Sequence, residues 1–241
     1  MANTHSADFQ IGSSQYYSAA DSASLDITGD LTFEAWIKVG DALTGTWRQI
    51  LFKDNPSNRS YGFQVRDNSG TNELGIVLSS NGSGLTNKFI DADPLGDGWH
   101  HVAVVYDASA GSAEFFKDGL SLGTETGLPT SIFSGNGLLR NSNYVPGDYF
   151  DGLIDELRIW DDKRTSTEIA DNMCVELVGD EANLQAYWKL NNSLLDETAN
   201  NNDLTNNNSF TFSTDNGFDS ALCAVSAAVT PVPTLLTLNV G

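Results

Sequence analysis

Residues 31–39 read LTFEAWIKV, and their alternation decides the fold class. Successive side chains of an extended chain point to opposite sides. Leu31, Phe33, Ala35, Ile37 and Val39 therefore share one face, and Thr32, Glu34, Trp36 and Lys38 the other. The same period of two recurs in both directions. QILFKD (49–54), YGFQVRD (61–67), ELGIVLSS (73–80), HVAVVYD (101–107), AEFFKDG (113–119) and GLIDELRIW (152–160) read as further strands. Between them lie DNSGTN (67–72), SNGSG (80–84) and DPLGDG (93–98), which carry the small and polar residues of turns. Asp118-Gly119 is the signature of a tight hairpin leading into LSLG (120–123). A single short helix is expected over TSTEIADNM (165–173), where Thr165 stands three residues before Glu168, the spacing of a capping box.

Composition fits a folded β protein. Hydrophobic residues make up 40% of the 241 residues, enough for a core, and 22 glycines against 6 prolines suit many short turns. Thirty-two acidic residues face 12 lysines and arginines, a formal charge of −20. Such a surface repels phosphate backbones and anionic lipid heads, so nucleic acid and membranes are poor partners. The carboxylate excess suits calcium, a hard cation that prefers oxygen, although acidity also serves solubility alone. No apolar run is long enough to span a membrane as a helix. The opening MANTHSADFQ lacks the basic and apolar regions of a signal peptide, which fits a start after a removed signal or inside a longer protein. Cys174 and Cys223 could be bridged in an oxidising compartment or stand as two buried thiols.

The character changes after Cys174. NLQAYWKLNNSLLDETANNNDLTNNNSF (183–210) is rich in asparagine, and its Asn runs read as exposed turns, whereas Tyr187, Trp188 and Leu190 are too apolar to hang in solvent. Residues 221–241, ALCAVSAAVTPVPTLLTLNVG, read as a tail or linker.

Three segments, in this order and spacing, resemble bacterial laminin G-like domains of the concanavalin A-like lectin/glucanase superfamily. They are GDLTFEAWIKV (29–39), DGWHHVAVVYDASAGSAEFFKDG (97–119) and FDGLIDELRIWDDKRTSTEI (150–169). The resemblance implies an all-β jelly-roll sandwich of two antiparallel sheets with one short helix, roughly 11–15 strands in all. It implies a secreted or cell-surface module that binds glycans or cell-surface proteins, or that associates with itself or neighbouring repeats. It also implies the Cys174–Cys223 disulfide, since such modules are secreted. AYWKLNN (186–192) resembles the opening of such a domain, yet here it comes last. The domain is then expected over residues 1–220, with 183–212 completing the sandwich in permuted order or opening a second repeat.

Asp155 is the candidate metal residue. Period two places it on one face of GLIDELRIW with Leu153, Leu157 and Ile159, and a buried acid there needs compensation. The resemblance to glucanase-like sandwiches implies calcium as the cofactor at Asp155; Asp30 and Asp8, or equally backbone carbonyls near Gly29, are the candidate partner ligands, and backbone N–H donors at a sheet edge are the alternative without a metal. DADPLGDG (91–98) fails as an EF-hand, because Leu95 and Val102 stand where ligands belong. STDNGF (213–218) is a single Asp-box-like copy.

Catalysis finds little support. The E-x-D-x-x-E string of laminarinase-type hydrolases is absent, and the adjacent Asp155 and Glu156 should point to opposite faces. His100 and His101 read as structural. Trp36, Trp99, Trp160 and Trp188 lie in strand motifs and read as packing residues. Trp47, with Asn141, Asn143 and Tyr144 of RNSNYVPGDY (140–149), is the best candidate ligand-binding group, an aromatic platform with amides nearby.

Overall fold

The computed structural model describes residues 3–40, 47–55, 57–96, 98–142, 148–219 and Cys223. Asn143, Tyr144 and, apart from Cys223, the 221–241 tail lie outside them. The described residues form fifteen strands and one α-helix. The strands are β1 (Ser6–Phe9), β2 (Tyr16–Ala19), β3 (Leu31–Val39), β4 (Trp47–Asp54), β5 (Tyr61–Asn68), β6 (Thr71–Leu78), β7 (Thr86–Asp91) and β8 (Trp99–Asp107). They continue with β9 (Ser112–Lys117), β10 (Leu120–Thr126), β11 (Leu138–Arg140), β12 (Gly152–Trp160), β13 (Leu184–Trp188), β14 (Thr205–Asn207) and β15 (Thr211–Ser213). The helix α1 spans Ser166–Asn172, and its capping box is closed: Thr165 Oγ1 accepts from the Glu168 N–H and Glu168 Oε2 from the Thr165 N–H.

Two antiparallel sheets carry the chain, as the alternation predicts. One runs β10-β9-β8-β3-β12-β1-β15, with β13 beside the second half of β12; the other runs β14-β2-β11-β4-β5-β6-β7. One apolar cluster fills the space between them, with Phe33, Ala35 and Ile37 of β3 facing Tyr61, Phe63, Leu74 and Ile76 of the second sheet. Residues 184–213 belong to this body. β13 pairs with β12, β14 with β2 and β15 with β1, so the two ends of the domain lie side by side. The Asp118-Gly119 hairpin holds both residues at positive φ, 54° and 76°, as a primed turn requires.

Not every Asn of the late segment is an exposed turn residue. Asn202 is buried, because Asp196 draws it inward: Asp196 Oδ2 accepts from the Asn202 N–H and Nδ2 and from Thr198 Oγ1. Asp196 Oδ1 accepts from the Tyr187 and Thr198 N–H groups. One carboxylate thus gathers its own loop onto β13.

The outer face of the first sheet is covered as well. Ile169 of α1 packs on Ala103, Val105 and Phe116. The segment after α1 and residues 213–219 cross β3 and β12, and the Cys174–Cys223 disulfide joins these two coverings. Trp36 donates its indole N–H to the Met173 carbonyl at 2.6 Å. Asp215 accepts from Lys38 Nζ and the Trp99 indole, both at 2.7 Å. For this reason β3 is buried on both faces, not one.

Candidate functional site

The covered face holds charge where a core would hold carbon. Glu34 is fully buried, with Arg164 Nε at 3.2 Å, His101 Nε2 at 3.5 Å and Arg158 Nη1 at 3.9 Å. Burial alone would raise its pKa, but hydrogen bonding by His101 and the charges of Arg158 and Arg164 outweigh it and hold the carboxyl below its usual value. Arg158 also binds Glu156 at 2.9 Å and the carbonyls of Asn172 and Val175. Glu156 in turn accepts from Tyr187 Oη at 2.5 Å. The charges of this cluster are paired, although both Glu34 oxygens and the Nε atoms of Arg158 and Arg164 lack a well-aligned hydrogen bond.

Asp155 belongs to this face, and that corrects the expected pattern of β12. The register against β3 shifts between Asp155 and Arg158, with Glu156 at φ 51°. This bulge reverses the alternation. Leu157 and Ile159 enter the core with Ile154, while Asp155 pairs with Trp36 on the outer side. Asp155 and Glu156 consequently do not diverge, since Asn3 Nδ2 reaches both, at 2.8 and 3.4 Å.

The three acids expected to hold calcium do not assemble. Asp30 lies six residues along β3 from Trp36, the partner of Asp155, which places it about 20 Å away. There it accepts from the Ala108 N–H at 2.8 Å. Asp8 pairs with Leu153 and turns to Gln10 Nε2 at 2.9 Å. Asp155 Oδ2 faces donors, Asn3 Nδ2 and the Gly217 N–H at 2.9 Å, not the oxygen ligands that calcium needs. Burial, reinforced by Glu156, pushes its pKa well above the usual carboxylate range, and its Oδ1 is buried without a partner. These residues do not fit calcium. Among the described residues, no group of three or more His, Cys, Asp or Glu side chains is arranged to hold a metal ion.

The second sheet is open on its outer face. A cavity of about 360 Å³ lies there, lined by Trp47, Gln49, Phe52, Asp54, Arg59, Gln64, Val77, Leu85, Asn87 and Asp148. Its floor comes from four adjacent strands in register: Gln49 opposite Gln64, Phe52 opposite Gly62, Gln64 opposite Gly75, and Val77 opposite Asn87. Two glycines let aromatic rings lie on the sheet. A Cβ on Gly62 would stand 2.1 Å from the Phe52 ring, and one on Gly75 would stand 2.4 Å from Phe89. Trp47, 36% exposed, meets Phe89 edge to face at 5.5 Å. Arg66 lies 3.5 Å over the Phe89 ring and binds Glu73 at 2.6 Å.

The polar part of this floor is under-satisfied. Gln49 Nε2 donates to Gln64 Oε1 at 2.9 Å. Gln49 Oε1, Gln64 Nε2 and Asn87 Oδ1 are buried without a partner. Buried polar atoms are almost always bonded, so three orphans under one cavity need an explanation.

Among the expected ligand residues, Trp47 lines this cavity; Asp148, which is not among them, joins it from the RNSNYVPGDY stretch. Asn141 does not. It is buried and accepts the Tyr17 N–H on Oδ1 at 2.7 Å, holding β2. Sequence reasoning passed over Gln49, Gln64 and Asn87. Their signal lay in the pattern of strand glycines opposite phenylalanines, which marks a face where rings lie flat.

A two-sheet jelly roll with a cleft on one outer face defines a lectin-like class of protein. Residues 11–170 match the family model of the concanavalin A-like lectin/glucanases superfamily, and the chain belongs to that family. No curated protein matches it. Among solved structures it is similar to a Bacteroides ovatus protein proposed to bind carbohydrate (TM-score 0.63, 19% identity), with 88% of this chain covering 60% of that one. It is similar to the heptameric SAP-like pentraxin of Limulus polyphemus (TM-score 0.64, 16% identity, 90% of this chain and 96% of that one). It is also similar to the CBM40 of the Ruminococcus gnavus IT-sialidase, solved with α2,3 sialyllactose (TM-score 0.53, 12% identity, 69% and 95%). At these identities the likeness is one of fold.

Proposed function

We infer that this protein is an extracellular carbohydrate-binding module that binds without cleaving. The observation that carries this reading is the cleft over β4–β7, where orphaned amides lie beside aromatic rings. Sugar rings present apolar faces to aromatics and hydroxyl edges to amides, and such sites combine both. The carbohydrate-binding neighbours of the same fold support it. The Cys174–Cys223 bridge supports an oxidising, extracellular setting. A binding role is further supported by Asp54, a carboxylate of the cleft that is tied to Arg140 at 3.2 Å rather than poised for proton transfer.

A glycan array tests this with the wild type and Trp47→Ala. The wild type is expected to retain one class of glycans that the variant loses at an unchanged melting temperature. An array on which the folded wild type binds nothing contradicts the reading.

A further inference from the structure

We propose that the cleft over β4–β7 selects neutral glycans presenting vicinal hydroxyls and rejects sialylated, uronate-containing or sulfated ones; this rests on the carbohydrate-binding reading of the same cleft. The selectivity follows from which polar groups are already spent. Asp54 holds Arg140 at 3.2 Å. Arg59 and Asp148, the other charged residues of the lining, each have a partner. Beside the cavity, Arg66 is pinned between Glu73 and the Phe89 ring. Lys88 follows the alternation of β7 away from the cleft and toward Gly127 beyond β10, its Nζ 3.5 Å from where a Cβ on that glycine would sit.

The unspent groups are neutral. Gln49 and Gln64 share one hydrogen bond, which leaves an adjacent acceptor and donor, Oε1 and Nε2. Reversing both amides would leave one donor and one acceptor again. Neighbouring hydroxyls of a pyranose supply the matching acceptor and donor once each amide turns toward the cavity that it lines. Asn87 Oδ1 adds an acceptor that only a donor such as a hydroxyl satisfies. At the cleft the orphaned atoms of the lining belong to neutral amides, and the chain as a whole carries a net charge of −20. That arrangement repels anions, and the repulsion weakens with salt.

The test is calorimetric titration of the full chain with neutral probes (laminarihexaose, xylohexaose and mannohexaose) and anionic ones (sialyllactose, hexagalacturonate and a heparin hexasaccharide). At least one neutral probe is expected to bind, with affinity insensitive to salt between about 0.05 and 0.5 M. Gln64→Glu and Asn87→Asp are each expected to weaken it by about tenfold or more. Asn87 is only half-buried, so Asn87→Asp carries the test if Gln64→Glu fails to fold. Tighter binding of an anionic probe overturns the selectivity and leaves carbohydrate binding standing. Neutral binding that neither variant weakens places the sugar elsewhere and overturns the proposal. Silence from every probe overturns the proposal together with the reading on which it rests.

Discussion

The outer faces of the two sheets solve opposite problems with similar residues. Over β3 and β12, Glu34, Glu156, Arg158 and Tyr187 are sealed beneath α1 and the disulfide-joined coverings; their charges are paired, and the atoms left without hydrogen bonds, among them both Glu34 oxygens, are shut away from any cavity. Over β4–β7, Gln49, Gln64 and Asn87 are neutral, line a cavity, and each buries a polar atom without a partner. Charge as such is thus a poor guide to function in this fold. The sealed face, which holds the acids that look most like a metal site, is structural, and the quieter face carries unspent hydrogen-bonding capacity.

The contrast breaks first at Arg158. Removing the cation that joins Glu34, Glu156 and two carbonyls leaves buried acids uncompensated, so Arg158→Ala is expected to cost about 3–5 kcal/mol in chemical denaturation. A loss below about 1 kcal/mol would mean that the cluster is solvated and the face not sealed. Reduction comes next. The bridge closes a separation of 49 residues, and the chain-entropy model sets its contribution at no more than about 4 kcal/mol. Reduced protein should melt at lower temperature and expose Trp36, which quenching of its fluorescence would detect; an unchanged melt would mean that the coverings hold without the bridge.

Asp155 gives a smaller effect of opposite sign. Its folded pKa is raised by burial, so the folded state holds its proton to higher pH than the unfolded state does. Stability then falls as pH rises from about 4, the unfolded value, through the raised folded one. Asp155→Asn removes that loss and keeps an acceptor for the Gly217 N–H. We expect a gain of about 1 kcal/mol at neutral pH, or about 3 °C in melting temperature, vanishing in acid. Destabilisation of the variant at neutral pH, restored to the wild type by calcium, would return Asp155 to the metal role.

These contrasts also explain what could be read from the sequence. The period of two in LTFEAWIKV, the Thr165–Glu168 spacing and Asp118-Gly119 are local rules, and each acts through its own neighbours, so fold class, helix and hairpin follow from them. The bulge at Glu156 is different. A glutamate at positive φ carries no local signature, and one such residue moved Asp155 from the expected face to the other. The double burial of β3 depends on a segment more than a hundred residues later in the chain. The cleft is harder still, because Gln49, Gln64 and Asn87 come from three strands and become a site only through register. Trp47 stands out in the sequence because a tryptophan in a loop-like stretch is conspicuous by itself.

The most direct test of the two-face account is nuclear magnetic resonance of the chain titrated with a neutral oligosaccharide that it binds. The account predicts saturable shifts at the Trp47 indole and the side-chain amides of Gln49, Gln64 and Asn87. The indole signals of Trp36, Trp99 and Trp188, held by Met173, Asp215 and Asn202, should stay in place. Shifts at Trp36 and Trp99 with none at Trp47 or the amides would put the ligand on the face described here as sealed, and would contradict the account.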